Sequence, residues 1–173
     1  MKNYNTDVLF ILILGLLSML TPLAIDMYLP SFGSIASDLH VSKERIQTTL
    51  ALFTMGFAVG QLLWGPLSDS YGRKPTIIVG VIVAAVIALW LTQVGELYHF
   101  YILRFLQGFF GSAPAVVAGA LLRDIFSKEA FSKMMSMIML VTMIAPLVAP
   151  IFGGYLADWF HWQAIFYLLT VLG

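Results

Sequence analysis

The chain has 173 residues, 60% of them hydrophobic and 10% charged, with 9 Lys and Arg against 9 Asp and Glu. A soluble domain carries about 25% charged residues, so this chain lacks the polar surface of a water-facing globule, and its solvent is lipid. The balanced charge leaves no footprint for a nucleic-acid partner; the absence of Cys excludes disulfides and thiol chemistry, and His40, His99 and His161 are too scattered for a metal site.

A helix needs about 20 apolar residues to cross a hydrocarbon core about 30 Å thick, and the charges cut the chain into such pieces. The first span is expected at about 8–29. Its stretch from Val8 to Ile25 is charge-free, longer than a signal-peptide core and not followed by a small-x-small cleavage pattern. It reads as a retained membrane helix that also directs insertion. Further spans are expected at 46–67, 76–94, 98–122 (broken only by Arg104) and 134–157. A sixth run at 162–173 reaches only about 18 Å at 1.5 Å per residue, too short to cross, so the chain reads as truncated. The runs are too long and too uniformly apolar for the alternating strands of a barrel. The expected fold is an all-α polytopic membrane bundle in a single domain, 1–173, with five full transmembrane helices and an incomplete sixth.

Basic residues in short loops set the orientation. With the N-terminus in the cytoplasm, the inner segments carry Lys2, Arg73, Lys74, Arg123, Lys128 and Lys133, and the outer ones only Lys43 and Arg45. A faint repeat supports two three-helix units of opposite sense: Gly65-Pro66-Leu67-Ser68-Asp69 closes the second span inside, and Gly154-Tyr155-Leu156-Ala157-Asp158 closes the fifth outside.

Two ionisable residues interrupt apolar runs, Asp26 and Arg104. Each costs about 3 kcal/mol near the bilayer centre and needs a cavity or a partner. Both fall in the outer third of the membrane, a depth that permits an ion pair between the first and fourth spans. One reading has Asp26 exchanging a proton while Arg104 tunes its proton affinity; the other is a static pair, or an Asp26 solvated at the interface. Thr21 and Gln107 are placed to line a cavity shared with them. Small residues recur at helical spacing as Gly56/Gly60, Gly111/Ala115/Gly119 and Ala145/Ala149/Gly153, which lets helices approach closely. Pro146 and Pro150 each remove a backbone donor and are expected to bend the fifth helix. In the loop from Gly65 to Pro75, glycines at both ends permit a tight turn, and Asp69 is placed to cap a helix or pair with Arg73.

That loop resembles motif A of the major facilitator superfamily, Gly-x-Leu-x-Asp-x-x-Gly-Arg-Lys, at Gly65, Leu67, Asp69, Gly72, Arg73 and Lys74, and departs from it at Ser70, where the family has Arg. The resemblance implies a conformational latch, with part of its charge relay lost at Ser70. Asp26 to Pro30 resembles the Asp-x-x-x-Pro motif of twelve-helix drug:proton antiporters. Arg104-Phe105-Leu106-Gln107-Gly108 resembles motif B, whose Arg is tied to proton coupling. The run Ala145-Pro146 to Ala149-Pro150 and Gly153-Gly154 is similar to the antiporter motif C of the bicyclomycin-resistance (Bcr/CflA) branch, with Ala145 and Ala149 in place of Gly. The resemblance implies the N-terminal half of a major-facilitator exporter in a bacterial inner membrane, not an enzyme. Protons are then the coupling ion and no other cofactor is expected; the partners are membrane lipid, a small organic substrate and a missing C-terminal six-helix half. Two other readings stay open: a truncated, non-transporting fragment, and a transporter of sugars or metabolites on the same fold.

Overall fold

The computed structural model describes the backbone from Tyr4 to Gly173 and the side chains from Leu9 onward; Lys2, one of the residues used for orientation, lies outside the described residues. The described residues are almost wholly helical. They form α1 (Tyr4–Asp26), a 3-10 turn (Leu29–Ser31), α2 (Phe32–Asp38), α3 (Lys43–Tyr71), α4 (Arg73–Leu91), α5 (Leu97–Ile125), α6 (Lys128–Thr142), α7 (Ile144–Phe160) and α8 (Gln163–Leu172). By length and apolarity five helical segments suffice to cross a membrane: 9–38, 43–71, 73–91, 97–125 and 128–160.

The ends differ from the sequence expectation for physical reasons. The first span does not run unbroken to residue 29; α1 stops at Asp26, Pro30 sits in the following turn, and the chain resumes as α2. The second helix is about a turn longer at each end, because Lys43–Arg45 and Ser68–Tyr71 stay helical where charge and polarity suggested loop. The fifth span begins earlier, at Lys128, where the Ser127 hydroxyl accepts from Ala130 N and Glu129 faces the positive end of the helix. It then breaks once, at Met143, three residues before Pro146. That is where a proline ring clashes with the preceding turn. Pro150 lies within α7 without interrupting it, so the expected bend belongs to Pro146.

The tightest seam joins α3 to α5. A Cβ on Gly56 or Gly60 would collide with the backbone of Phe105 or Phe109, and one on Gly108 with the backbone of Phe53. The expected stripe Gly111/Ala115/Gly119 is not the close face of this helix. A Cβ on Gly111 would reach only Thr21 Oγ1 at 3.8 Å and one on Gly119 only Met135 Cε at 3.4 Å; Gly108 and Ser112 face the seam instead. Trp64 Nε1 adds a hydrogen bond across it to Phe109 O at 2.7 Å. A small buried cluster of Ile11, Leu14, Ala118, Leu122 and Ile138 fills one end of the bundle. A larger one, including Tyr28, Phe53, Phe100, Trp162 and Phe166, fills the other. Leu62, Leu147, Trp159 and Val171 stand exposed on the outside, apolar faces that water would not tolerate and lipid does.

The two corners that the expected repeat relates each hold a positive-φ residue, as does the turn after α2 at His40 (φ 52°). α3 ends at Gly72 (φ 96°) and α7 at His161 (φ 66°), and each is followed at once by the next helix. Gly65 is not part of a turn; it lies inside α3, and the corner is made at Gly72 alone.

Candidate functional site

Arg104 is fully buried in α5. Its guanidinium carbon lies 4.4 Å from the centre of the Tyr28 ring and 4.5 Å from that of Phe53, so two aromatic faces stabilise the cation. Nη1 donates to Gln107 Oε1 at 2.7 Å, and Nη1 and Nη2 both point at Ala24 O at 3.4 Å. Nε has no hydrogen-bond partner. No carboxylate lies within ion-pair distance of it among the described residues.

The local fold of α1 explains the Ala24 contact. The last backbone bond of that segment runs from Met27 N to Leu23 O at 3.1 Å. The next carbonyl, Ala24 O, would take the amide of residue 28 if the helix continued. The helix ends instead, and the freed acceptor takes the guanidinium. Tyr28 is held in place by its hydroxyl, 2.6 Å from Thr49 Oγ1.

Asp26 follows Ala24 by two residues, yet the ion pair with Arg104 that their depths permit is not formed. Asp26 is half-buried at the end of α1 and makes no hydrogen bond or ion pair among the described residues. Arg104 is engaged by a backbone carbonyl and an amide side chain, which sequence spacing does not reveal. A buried cation without a counter-ion thus rests on a carbonyl two residues before a carboxylate without a partner.

Thr21 and Gln107 line one cavity of about 40 Å³, together with Leu20, Phe53, Gly111 and Pro114. Both side chains are spoken for: Thr21 Oγ1 donates to Gly111 O at 2.9 Å, and Gln107 Oε1 takes Arg104. The space admits a water or two, and organic ligands occupy pockets of about 300–1,000 Å³.

The loop at the other end of the bundle is a charged knot. Arg73 begins α4 directly after Gly72. Its Nη1 pairs with Asp69 Oδ1 at 2.5 Å and donates to Ser68 Oγ, and its Nε donates to Asp124 Oδ2 at 3.0 Å. Asp69 therefore pairs and does not cap; Gly72, with no capping side chain, occupies the N-cap of α4. Lys74 is exposed and makes no ion pair among the described residues. Ser70 Oγ donates to Pro66 O within its own helix. Asp124, in the last turn of α5, was not singled out from sequence; its only signal was the Arg123-Asp124 charge pair at the end of an apolar run.

The run from Ala145 to Gly154 packs against the turn that carries Asp26. Ala145, Ala149 and Gly153 form the buried stripe of α7. A Cβ on Gly153 would lie 2.7 Å from both the carbonyl carbon and the Cα of Met27, whereas one on Gly154 would meet only Pro30 Cβ at 4.0 Å. Pro146 falls in the first turn of α7, and Pro150 lies partly buried beside the stripe.

The sequence is similar to known proteins over most of its length. The model of the Major Facilitator Superfamily matches residues 14–173. A bicyclomycin resistance protein homolog of Haemophilus influenzae is 58% identical over the whole chain, which covers 44% of that protein. An uncharacterized MFS-type transporter of Bacillus subtilis, YdgK, is 39% identical over 93% of the chain and 40% of its own length. The multidrug resistance protein MdtL of Klebsiella pneumoniae is 35% identical over 95% of the chain and 42% of its own length. The chain thus spans less than half the length of these curated relatives.

Proposed function

The chain belongs to the Major Facilitator Superfamily, a family of multi-pass membrane transporters and not of enzymes, and from that premise we propose that it is the N-terminal bundle of a proton-coupled exporter of drugs or other small organic compounds. The observation that carries this reading is the arrangement of Arg104, Ala24 and Asp26. Arg104 rests on a carbonyl two residues before an unpaired carboxylate. When Asp26 is ionised, its carboxylate competes with Ala24 O and Gln107 for the guanidinium. When it takes up a proton, Arg104 stays on the carbonyl. Either change acts on the turn that Gly153 touches, so a proton at Asp26 is felt by α7.

Transport then follows from rocking of this bundle against a second six-helix bundle, the partner that completes the substrate cavity. The proton favours one state and the substrate the other. The names of the Haemophilus and Klebsiella relatives support drugs as the substrate class. All three relatives are bacterial, which supports the inner membrane as the site, with the N-terminus in the cytoplasm by the distribution of Lys and Arg. Protons are the coupling ion, and no further cofactor is proposed.

The test is Asp26→Asn in the intact protein. Drug-induced proton movement in inverted vesicles is expected to disappear, along with resistance in cells. Full resistance in the variant sinks the assignment. Flux of a sugar in the wild type, with none of drug, reassigns the substrate class on the same fold.

A further inference from the structure

The two corners of the bundle are built alike. At one, α3 closes at Gly72 with φ 96°, and the next residue, Arg73, donates from Nε to Asp124 in the last turn of α5 at 3.0 Å. At the other, α7 closes at His161 with φ 66°, and the next residue, Trp162, donates from Nε1 to Asp38, the last residue of α2, at 2.7 Å. The five spans alternate in direction, so these corners lie at opposite ends of the bundle. In a three-plus-three repeat α8 is the counterpart of α4, and the first span, which ends with α2, is the counterpart of α5. Each corner therefore sends a donor to the carboxylate that closes the first span of the other unit.

The second corner leads inward to Arg104. Trp162 is 2% exposed. Its ring lies 6.0 Å from those of Phe100 and Phe166, and these in turn lie 6.1 and 5.9 Å from Tyr28, the ring that faces the guanidinium. An indole has a single N–H donor, so its one hydrogen bond sets how the ring sits.

We propose that Asp38 and Trp162 form a clasp, the counterpart of the Arg73–Asp124 pair, that closes its end of the bundle over the aromatic box and positions Arg104. Both are positioning residues, acting on Arg104 through Phe100, Phe166 and Tyr28. The clasp does not depend on what is transported; its effect on proton coupling rests on the exporter reading.

The experiment uses the intact protein freed of any cysteine, with Ala36→Cys as reporter. Ala36 is 7% exposed on α2, and the described chain contributes no competing thiol. Right-side-out and inverted vesicles are treated with a membrane-impermeant maleimide. Trp162→Phe keeps a ring and loses the donor, Asp38→Ala loses the acceptor, and Asp38→Asn keeps one. The first two are expected to speed labelling by about fivefold or more, the effect of one lost hydrogen bond. Their combination is expected to be no faster than either alone, and Asp38→Asn to stay near the parent rate. Unchanged labelling in Trp162→Phe or Asp38→Ala overturns the clasp, as does an additive double variant. The pH profile of drug-driven proton flux is expected to shift in Trp162→Phe and not in Asp38→Asn. Faster labelling with an unshifted profile overturns the positioning of Arg104. No flux in the parent, with labelling as expected, refutes the exporter reading and leaves the clasp standing.

Discussion

Replacing Gly153 by Ala adds one methyl group at the closest approach between α7 and the turn that carries Asp26. The added carbon would sit 2.7 Å from Met27 C and Cα and closer still to Met27 O. Backbone cannot swing aside as a flexible side chain does, so the helices must part by about an ångström. Overpacking of this kind costs about 1–3 kcal/mol. The helix itself gains about 0.5–1 kcal/mol from Gly to Ala, so the two terms oppose each other and the collision wins. Gly154→Ala is the internal control: it gains the same helix term, and its methyl meets only Pro30 Cβ at 4.0 Å. Melting of the intact protein in detergent is therefore expected to fall for Gly153→Ala and to hold or rise for Gly154→Ala. The same order is expected in drug-driven proton flux, because parting α7 from this turn disturbs the chain on both sides of Asp26. Equal melting temperatures for the two variants would refute the backbone contact and the coupling built on it.

Tyr28→Phe keeps the ring over Arg104 and removes the hydroxyl bonded to Thr49; a loss of about 0.5–1.5 kcal/mol in stability is expected, with proton-coupled flux retained, and a silent melt would show that the hydroxyl does not hold the ring. Asp124→Asn weakens an ion pair whose carboxylate side chain is 53% exposed. Such a pair contributes about 1 kcal/mol or less, so melting should barely change while transport falls if the knot is a latch; unchanged transport in inverted vesicles removes that role.

The spans were legible because lipid enforces them: a run such as Thr76 to Leu91 has no other solvent, and Arg73 and Lys74 mark where it leaves the membrane. Helix ends were less so. Charge at Lys43 to Arg45 suggests a boundary, but the backbone there satisfies itself by remaining helical. Asp26 and Arg104 stand out as ionisable residues in apolar runs, but the partners of Arg104 do not. Ala24 O becomes an acceptor only because the helix stops before residue 28, and backbone carbonyls carry no letter in the sequence. Asp38 and Trp162 lie 124 positions apart, and neither is unusual where it stands: one closes a short helix, the other follows an aromatic helix end. Only the fold makes them a pair.

The exchange of donors between corners also sets an order of assembly. Synthesis delivers the N-terminal end first. When α4 has entered the membrane, Arg73 already has Asp69 in the same helical corner but lacks Asp124 until α5 has crossed and reached its last turn. Asp38 waits longer, since its indole partner is the residue just before α8. The first three spans therefore cannot finish either corner alone, and the Asp38 end is the last to seal. A nascent chain halted after Ile125 has the means to tie one end, and only the arrival of Trp162 ties the other.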